Sequence, residues 1–336
     1  MTSIRRTAYL AAALLSQLPF SVPAVALDGK REDVRAFVDE VTARNGLDRA
    51  WVEEMLDQAA LQPRIIELMT RPAERTKPWH EYRDHFITEE RIAAGVAFWD
   101  EHRERLAAVE RETGVPARVI VGILGVETYY GRITGTFRVL DALSTLAFDY
   151  PPRSEYFRAE LEQFLLLSRE EDVPPRSVKG SYAGAMGYPQ FMPRSYRAYA
   201  VDGDGDGRRD LWGSWDDVIA SVANYLLQHG WRAGEPVLAG ASLPFPDEAA
   251  GLVSGSIKTN ETVGSLRQKG LEFESPLADD SPALFIEVAG NDGPEQRAGF
   301  HNFSVITRYN RSVLYALVVN DLGETVAGRL PAEPAP

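Results

Sequence analysis

The chain has 336 residues, of which 44% are hydrophobic and 25% charged, a composition typical of a globular protein with one large core or two to three domains. Its formal net charge of −13, with no extended basic stretch, argues against nucleic acid and anionic membranes as partners. It contains no cysteine, which excludes a disulfide framework, thiol catalysis and a lipid-bearing cysteine.

The first 26 residues have the pattern of a secretory signal peptide. Arg5 and Arg6 precede a short apolar run over residues 8–18, and small residues at 24–26 form a cleavage site. The run is too short to span a bilayer comfortably. We expect an exported, periplasmic protein that is not a lipoprotein and has no membrane anchor.

Residues 27–114 are predicted to form an N-terminal helical domain. Apolar residues recur at helical spacing within 28–70. Thr88 is suited to cap a further helix because its side chain can accept a backbone hydrogen bond, and acidic residues follow it. Gly114 is expected to end that helix.

The next segment, residues 114–131, contains the first candidate for chemistry. Ile120, Ile123, Leu124 and Glu127 lie at i, i+3, i+4 and i+7, so Glu127 continues the apolar face of a helix. A carboxyl group on that face loses water, which raises its pKa toward the range of a general acid. The alternative is a glutamate at a helix end that points into solvent.

Further helices are predicted over residues 139–148, 156–167 and 217–227, with proline pairs between the first two and after the second. The loop over residues 180–190 is rich in glycine and alanine, which allows close approach of the backbone to a ligand. Its Ser181 and Gln190 carry neutral hydrogen-bonding groups of the kind that sugars need. A tight connecting loop without a ligand explains the spacing equally well.

The loop over residues 202–217 resembles an EF-hand in its spacing. Asp202, Asp204 and Asp206 hold positions 1, 3 and 5, and the Arg208 carbonyl holds position 7. Three carboxylates this close repel one another unless a cation neutralises them. The sequence therefore predicts a Ca²⁺ site, with a solvated acidic turn as the alternative.

Position 12 of this loop departs from the EF-hand, because it is Gly213 rather than glutamate. Asp216 or Asp217, just downstream, would have to substitute for it. The predicted Ca²⁺ is structural rather than catalytic, since no nucleophile or base neighbours the loop.

In the C-terminal third, the sequence pattern changes from helical spacing to short alternating runs. Short alternating runs set among Gly, Pro, Ser and Asp predict a small β-rich domain over residues 235–298. A mostly apolar segment with the Tyr309–Asn310 pair follows over 303–319, and residues 329–336 are expected to be a disordered tail. The chain has no G-x-S-x-G elbow, no H-E-x-x-H motif and no glycine-rich phosphate loop.

Four motifs in order resemble the membrane-bound lytic murein transglycosylase B family over most of residues 30–325. They are GVETYYG (125–131), GSYAGAMGYPQFMP (180–193), SVANY (221–225) and TRYNRS (307–312). The resemblance implies a mainly α fold of α+β type, with a lysozyme-like catalytic core over 115–234 and 299–328. It also implies an accessory helical domain and a small inserted β-rich domain.

The same resemblance implies roles for individual residues. Glu127 corresponds to the family's single catalytic glutamate. The positions that line the substrate correspond to Arg153, Ser181, Gln190, Tyr225, Tyr309, Asn310 and Tyr315. The implied calcium ligands are Asp202, Asp204, Asp206, Arg208 and Asp217. Arg153 corresponds to the family's contact with the stem peptide, and the second arginine that the family often carries beside it is Pro152 here.

The activity that the resemblance implies is cleavage of the β-1,4 bond between N-acetylmuramic acid and N-acetylglucosamine in peptidoglycan, without water and with 1,6-anhydro ends. Ordinary glycosidases use two carboxylates, whereas only Glu127 has a convincing context in this chain. A lysozyme-type hydrolase and a non-catalytic peptidoglycan-binding protein are the alternatives. Expected partners are peptidoglycan strands and cell-wall synthases or divisome proteins.

Overall fold

The computed structural model describes residues 24–70, 77–244 and 252–331, and its architecture is mainly helical. The predicted signal peptide therefore lies outside the described residues up to residue 23, and the predicted tail lies outside them from residue 332. Within the described residues, no helix combines the length and apolar character needed to cross a bilayer.

The N-terminal part of the chain consists of six helices and one small strand pair. The helices are α1 Glu32–Asn45, α2 Arg49–Asp57, α3 Pro63–Thr70, α4 Trp79–Phe86, α5 Glu89–Glu101 and α6 Arg103–Thr113. The strands β1 (Val25–Ala26) and β2 (Ala60–Leu61) pair antiparallel. Thr88 caps α5 as predicted, because its Oγ1 accepts the backbone N–H of Arg91 at 3.2 Å.

The prediction of a single helix between Thr88 and Gly114 is wrong. The chain leaves helical geometry at His102, so that α5 and α6 are separate helices. Both helices contact the helix that follows Gly114, but α5 also packs on the last helix of the chain, whereas α6 packs on a helix near residue 220. One straight helix cannot present its apolar face to both.

A helical core with one small strand pair follows. Its helices are α7 Ala117–Thr128, α8 Val139–Asp149, α9 Ser154–Glu170, α10 Pro193–Tyr199, α11 Trp215–Gln228, α13 His301–Ile306 and α14 Val313–Ala327. Strands β3 (Phe137–Arg138) and β4 (Lys179–Gly180) pair antiparallel beside it. Helix α7 is apolar on nearly every face and lies in the centre of the core.

Two glycines let α7 and α14 approach closely. A Cβ on Gly122 would lie 2.2 Å from the Val319 carbonyl oxygen, and a Cβ on Gly323 would lie 2.1 Å from that of Arg118. Neither position has room for a side chain. This close approach brings the first turn of α14 beside the last turn of α7, where Glu127 lies.

A five-stranded antiparallel sheet is inserted between α11 and α13. Its elements are β5 Leu238–Ser242, β6 Glu261–Thr262, α12 Val263–Gln268, β7 Glu272–Phe273, β8 Pro282–Ala289 and β9 Pro294–Phe300. The strand order is β6-β8-β9-β5-β7. The sheet has a small apolar core of its own, which includes Leu266, Phe285 and Phe300. The Trp79 indole N–H donates to Glu295 at 3.1 Å and ties the sheet to α4.

Candidate functional site

Glu127 lies in the last turn of α7, at the wall of a groove of about 1210 Å³. The helix ends directly after it, because Tyr129 adopts left-handed geometry with φ 53° and ψ 49°. The Thr128 hydroxyl donates to the Tyr188 carbonyl at 2.9 Å and so fastens the helix end to the glycine-rich loop. The Glu127 side chain is half-buried rather than exposed, as the apolar face of the helix predicts.

A tyrosine of α14 holds this carboxylate. The Tyr315 hydroxyl donates to Oε1 of Glu127 at 2.6 Å, and the Tyr315 side chain is 2% exposed. Burial, followed by the nearby negative charge of Glu127, raises the pKa of Tyr315 well above its usual value. Tyr315 therefore stays protonated at neutral pH and acts as a hydrogen-bond donor to Glu127.

Three tyrosines form a layer at this wall. The Tyr309 ring stacks on Tyr315 with centroids 6.4 Å apart and contacts Tyr225 at 4.8 Å. The hydroxyls of Tyr309 and Tyr225 donate to backbone carbonyls, that of Tyr309 to Pro189 and that of Tyr225 to Arg308, both at 2.7 Å. Tyr309 lines the groove, whereas Tyr225 and Tyr315 lie behind the wall. The buried Tyr225 and Tyr315 are therefore placed to position the Arg308 backbone and the Glu127 side chain, respectively.

The glycine-rich loop forms another part of the wall. Ser181 Oγ accepts the backbone N–H groups of Ala183 and Ala185 at 3.2 and 3.0 Å, which fixes the turn. The side-chain amide of Gln190 donates to the Thr134 and Gly187 carbonyls at 3.2 and 2.9 Å. Both amide protons of Gln190 are thus engaged, so a ligand would meet its carbonyl oxygen.

Arg153 and Asn310 also line the groove. The Arg153 guanidinium lies 4.4 Å above the Tyr156 ring and 5.1 Å from the Phe157 ring, which holds an otherwise exposed side chain in place. The structure therefore brings six of the predicted site residues together along one groove: Glu127, Arg153, Ser181, Gln190, Tyr309 and Asn310.

Several groove residues had not been predicted from the sequence, namely Leu68, Met69, Thr70, Tyr150, Tyr156, Tyr182, Arg308 and Arg311. Arg308 and Arg311 flank the Tyr309–Asn310 pair in sequence, and this proximity could have indicated that they line the groove. The end of α3 carries no comparable signal, since it is far from Glu127 along the chain.

Glu127 is the one carboxylate among the described residues that line this groove. Two other acidic residues of the core, Asp141 and Asp149, are engaged elsewhere. Asp141 is buried and accepts hydrogen bonds from Arg138 and from the Ala60 backbone, and Asp149 pairs with Arg31 at 2.7 Å. Neither is placed to assist Glu127.

The acidic loop brings three carboxylates together. One oxygen from each of Asp202, Asp204 and Asp217 lies within 4.8 Å of the others, a spacing that a hard cation with oxygen ligands fits. Asp206 does not belong to this group, and its Oδ1 accepts the Arg208 backbone N–H at 2.8 Å. The donor set is suited to Ca²⁺.

The structure distinguishes the two candidates for the missing loop position. Asp217 is 1% exposed and accepts the backbone N–H groups of Gly203 and Asp210 at 2.7 and 2.6 Å, which joins both sides of the loop to α11. Asp216 instead lies 3.4 Å from the Arg105 guanidinium. Asp217 is therefore the residue placed beside Asp202 and Asp204.

A groove with one carboxylate among its described lining residues, within a mainly helical lysozyme-like fold, is typical of a class of glycan-cleaving enzymes. A family profile described as "Transglycosylase SLT domain" matches residues 29–324. The chain therefore belongs to the SLT-domain transglycosylase family, in agreement with the resemblance found in its motifs.

Individual relatives agree with this assignment. The chain is 42% identical over 304 residues to membrane-bound lytic murein transglycosylase B of Escherichia coli (strain K12), covering 88% of this chain and 82% of that protein. It matches soluble lytic transglycosylase SltB1 from Pseudomonas aeruginosa with TM-score 0.83 and 47% identity, over 87% and 97% of the two chains. It also matches the Escherichia coli lytic transglycosylase Slt35 in complex with calcium, with TM-score 0.82 and 41% identity, over 92% and 97%.

Proposed function

We propose that this protein cleaves the β-1,4 bond between N-acetylmuramic acid and N-acetylglucosamine in peptidoglycan and leaves 1,6-anhydro ends. The observation that carries the proposal is that Glu127 is the one carboxylate among the described groove residues and accepts a hydrogen bond from the Tyr315 hydroxyl at 2.6 Å. Hydrolysis by the usual routes uses a second carboxylate as nucleophile or base. Where one carboxylate acts as both acid and base, a hydroxyl group of the substrate can serve as the nucleophile.

In the proposed reaction Glu127 acts first as an acid. It gives its proton to the glycosidic oxygen as the bond from that oxygen to the muramic C1 breaks. The N-acetyl group of the same sugar stabilises the oxocarbenium-like centre. The groove walls carry neutral donors and acceptors from Ser181, Gln190 and Asn310, which are suited to orient this group.

Glu127 then acts as a base. It takes the proton of the muramic C6 hydroxyl as that oxygen forms a bond to C1, which closes the anhydro ring and restores the protonated acid. No water is consumed. Tyr315 donates to the Glu127 carboxyl group from behind, so the same side chain is held in place through both proton transfers.

The further roles are proposed residue by residue. Ser181, Gln190, Tyr309 and Asn310 contact the glycan strand, and Arg153 contacts the stem peptide. Tyr225 and Tyr315 support the groove wall from behind. We also propose the division of the chain into an N-terminal helical domain (27–114), a catalytic core (115–234 and 299–328) and a β-rich domain (235–298). Export to the periplasm, where peptidoglycan lies, completes this assignment.

We infer that Ca²⁺ stabilises the acidic loop. The supporting observations are the convergence of Asp202, Asp204 and Asp217 and the calcium complex of the related Slt35. Asp206 and the Arg208 carbonyl are proposed as further ligands by the loop spacing. The ion would fix the loop against the start of α11, and it supplies no step of the reaction.

Glu127→Gln tests the catalytic proposal. The substitution removes the ionisable carboxyl group but keeps the shape, so we expect cleavage of peptidoglycan to fall by about 10²–10⁴-fold while binding persists. Release of soluble fragments measures cleavage, and co-sedimentation with insoluble peptidoglycan measures binding. A variant that still cleaves at the wild-type rate would contradict the role of Glu127. An unaltered wild type that binds but never cleaves would favour a binding protein.

A further inference from the structure

A second, smaller pocket of about 290 Å³ lies where the segment after β5 meets the catalytic core. Its lining residues are His229, Ile257, Lys258, Thr307, Arg308 and Arg311. The segment that carries Ile257 is tied to α13, because the Ser304 hydroxyl donates to the Ile257 carbonyl at 3.1 Å. Two parts of the chain that are distant in sequence thus build one pocket.

The charge of this pocket is opposite to that of the protein. Lys258, Arg308 and Arg311 line it without any carboxylate among its described lining residues, in a chain of formal net charge −13. None of the three forms an ion pair with another described residue, whereas arginines elsewhere commonly do, as Arg297 does with Asp321 at 2.6 Å. Unneutralised cations held together in one pocket favour an anionic ligand.

The pocket adjoins the catalytic groove. Arg308 and Arg311 line both spaces, and the backbone between them carries Tyr309 and Asn310 in the groove wall. The Arg308 carbonyl is fixed by the Tyr225 hydroxyl at 2.7 Å. Lys258, by contrast, lines the pocket but not the groove, so its substitution addresses the pocket alone.

We propose that this pocket is a carboxylate-binding subsite for the glycan substrate and that the inserted β-rich part of the chain contributes Lys258 to it. The inference rests on the proposed peptidoglycan substrate, whose carboxylates are those of the attached peptides and, on sugars without a peptide, those of the lactyl groups. A carboxylate arm of a strand in the groove reaches the pocket past Arg308 and Arg311. The subsite then adds affinity and fixes the position of the strand relative to Glu127.

The test is a binding titration with catalytically silent Glu127→Gln protein, with and without Lys258→Gln. Three soluble probes are used: peptide-bearing muropeptide oligomers, the same strands stripped of peptide by an amidase, and chitin oligosaccharides, which carry no carboxylate. We expect Lys258→Gln to weaken binding of the peptide-bearing oligomers about tenfold and to leave chitin binding unchanged within twofold. Arg311→Gln should act in the same direction.

The stripped strands identify which carboxylate is bound. A loss on both kinds of strand supports a subsite that accepts either carboxylate, because the lactyl carboxylate is free only on the stripped strands. A loss confined to peptide-bearing strands supports the subsite with a peptide carboxylate as ligand, and a loss confined to stripped strands supports it with the lactyl carboxylate. Unchanged binding of all charged probes, or an equal loss on chitin, overturns the proposal. Lys30→Gln, an exposed lysine on the N-terminal part of the chain, is the matched control. Cleavage by the unaltered protein, measured separately, shows whether the proposed reaction itself holds.

Discussion

At the scale of single residues, the central feature is the hydrogen bond that the Tyr315 hydroxyl donates to the Glu127 carboxyl group. Glu127 is half-buried at the groove, and Tyr315 behind it is buried and keeps its proton because its pKa is raised. The position of Glu127 was predictable from helical spacing, since the apolar face of α7 carries it inward. The bond to Tyr315 was not, because the two residues lie far apart in sequence and meet only when α7 packs on α14.

Tyr315→Phe removes this hydrogen bond while it keeps the buried ring. We expect kcat on peptidoglycan to fall at least about tenfold with little change in KM, because the hydrogen bond that holds Glu127 in place through both proton transfers is lost. Tyr130→Phe is the matched control, since the Tyr130 hydroxyl is buried without a hydrogen-bond partner among the described residues. If the two variants lose activity equally, Tyr315 does not position Glu127.

Glu160 provides a prediction for the dependence of stability on pH. Burial raises the pKa of Glu160 above its usual value of 4.5, although the Arg194 backbone N–H, which donates to it at 3.0 Å, acts in the other direction. The folded protein therefore holds this proton to a higher pH than the unfolded chain does. The stabilising contribution is complete below the unfolded pKa and is lost as the pH rises through the folded pKa.

Glu160→Gln removes this titration, so we expect the variant to gain stability relative to the wild type between pH 5 and pH 8. Each unit by which the pKa is raised corresponds to about 1.4 kcal/mol. Urea unfolding at both pH values measures the difference. Glu155→Gln, an exposed position on the same helix, is the matched control for the substitution itself. A Glu160→Gln difference that does not change with pH would contradict the assignment.

At the scale of elements, local signals predicted the beginnings and ends of helices better than their packing. The cap at Thr88 and the end of α6 at Gly114 follow from side-chain and backbone preferences of those residues. The break at His102 and the short helix α10 were not predicted. Both depend on which partner each segment contacts, and a single sequence does not show those contacts directly.

The acidic loop is the element with the clearest test. Removal of Ca²⁺ with EDTA should lower the melting temperature by about 5 °C, because a ligand that binds only the folded state stabilises it. Asp217→Asn should abolish this response, whereas Asp216→Asn should keep it, since Asp216 faces Arg105. Thermal unfolding of the three proteins with and without EDTA measures the effect. A wild type indifferent to EDTA would remove the calcium proposal.

At the scale of the whole molecule, the groove is assembled from segments that are distant along the chain. The end of α3, the end of α7, the glycine-rich loop and the link between α13 and α14 all contribute to it. Four ordered motifs predicted most of these contributions through the resemblance to a known family. They did not predict the α3 residues or the adjoining cationic pocket, because these depend on how the helical parts and the sheet are arranged around the core.

The most direct test of the central claim is the fate of water in the reaction. Purified peptidoglycan is digested in H₂¹⁸O, and the products are analysed by mass spectrometry. We expect muramic ends that are lighter by one water than hydrolysed ends and that contain no ¹⁸O, because the C6 hydroxyl of the substrate replaces water at C1. Reducing ends that carry ¹⁸O would contradict the account and identify the protein as a hydrolase.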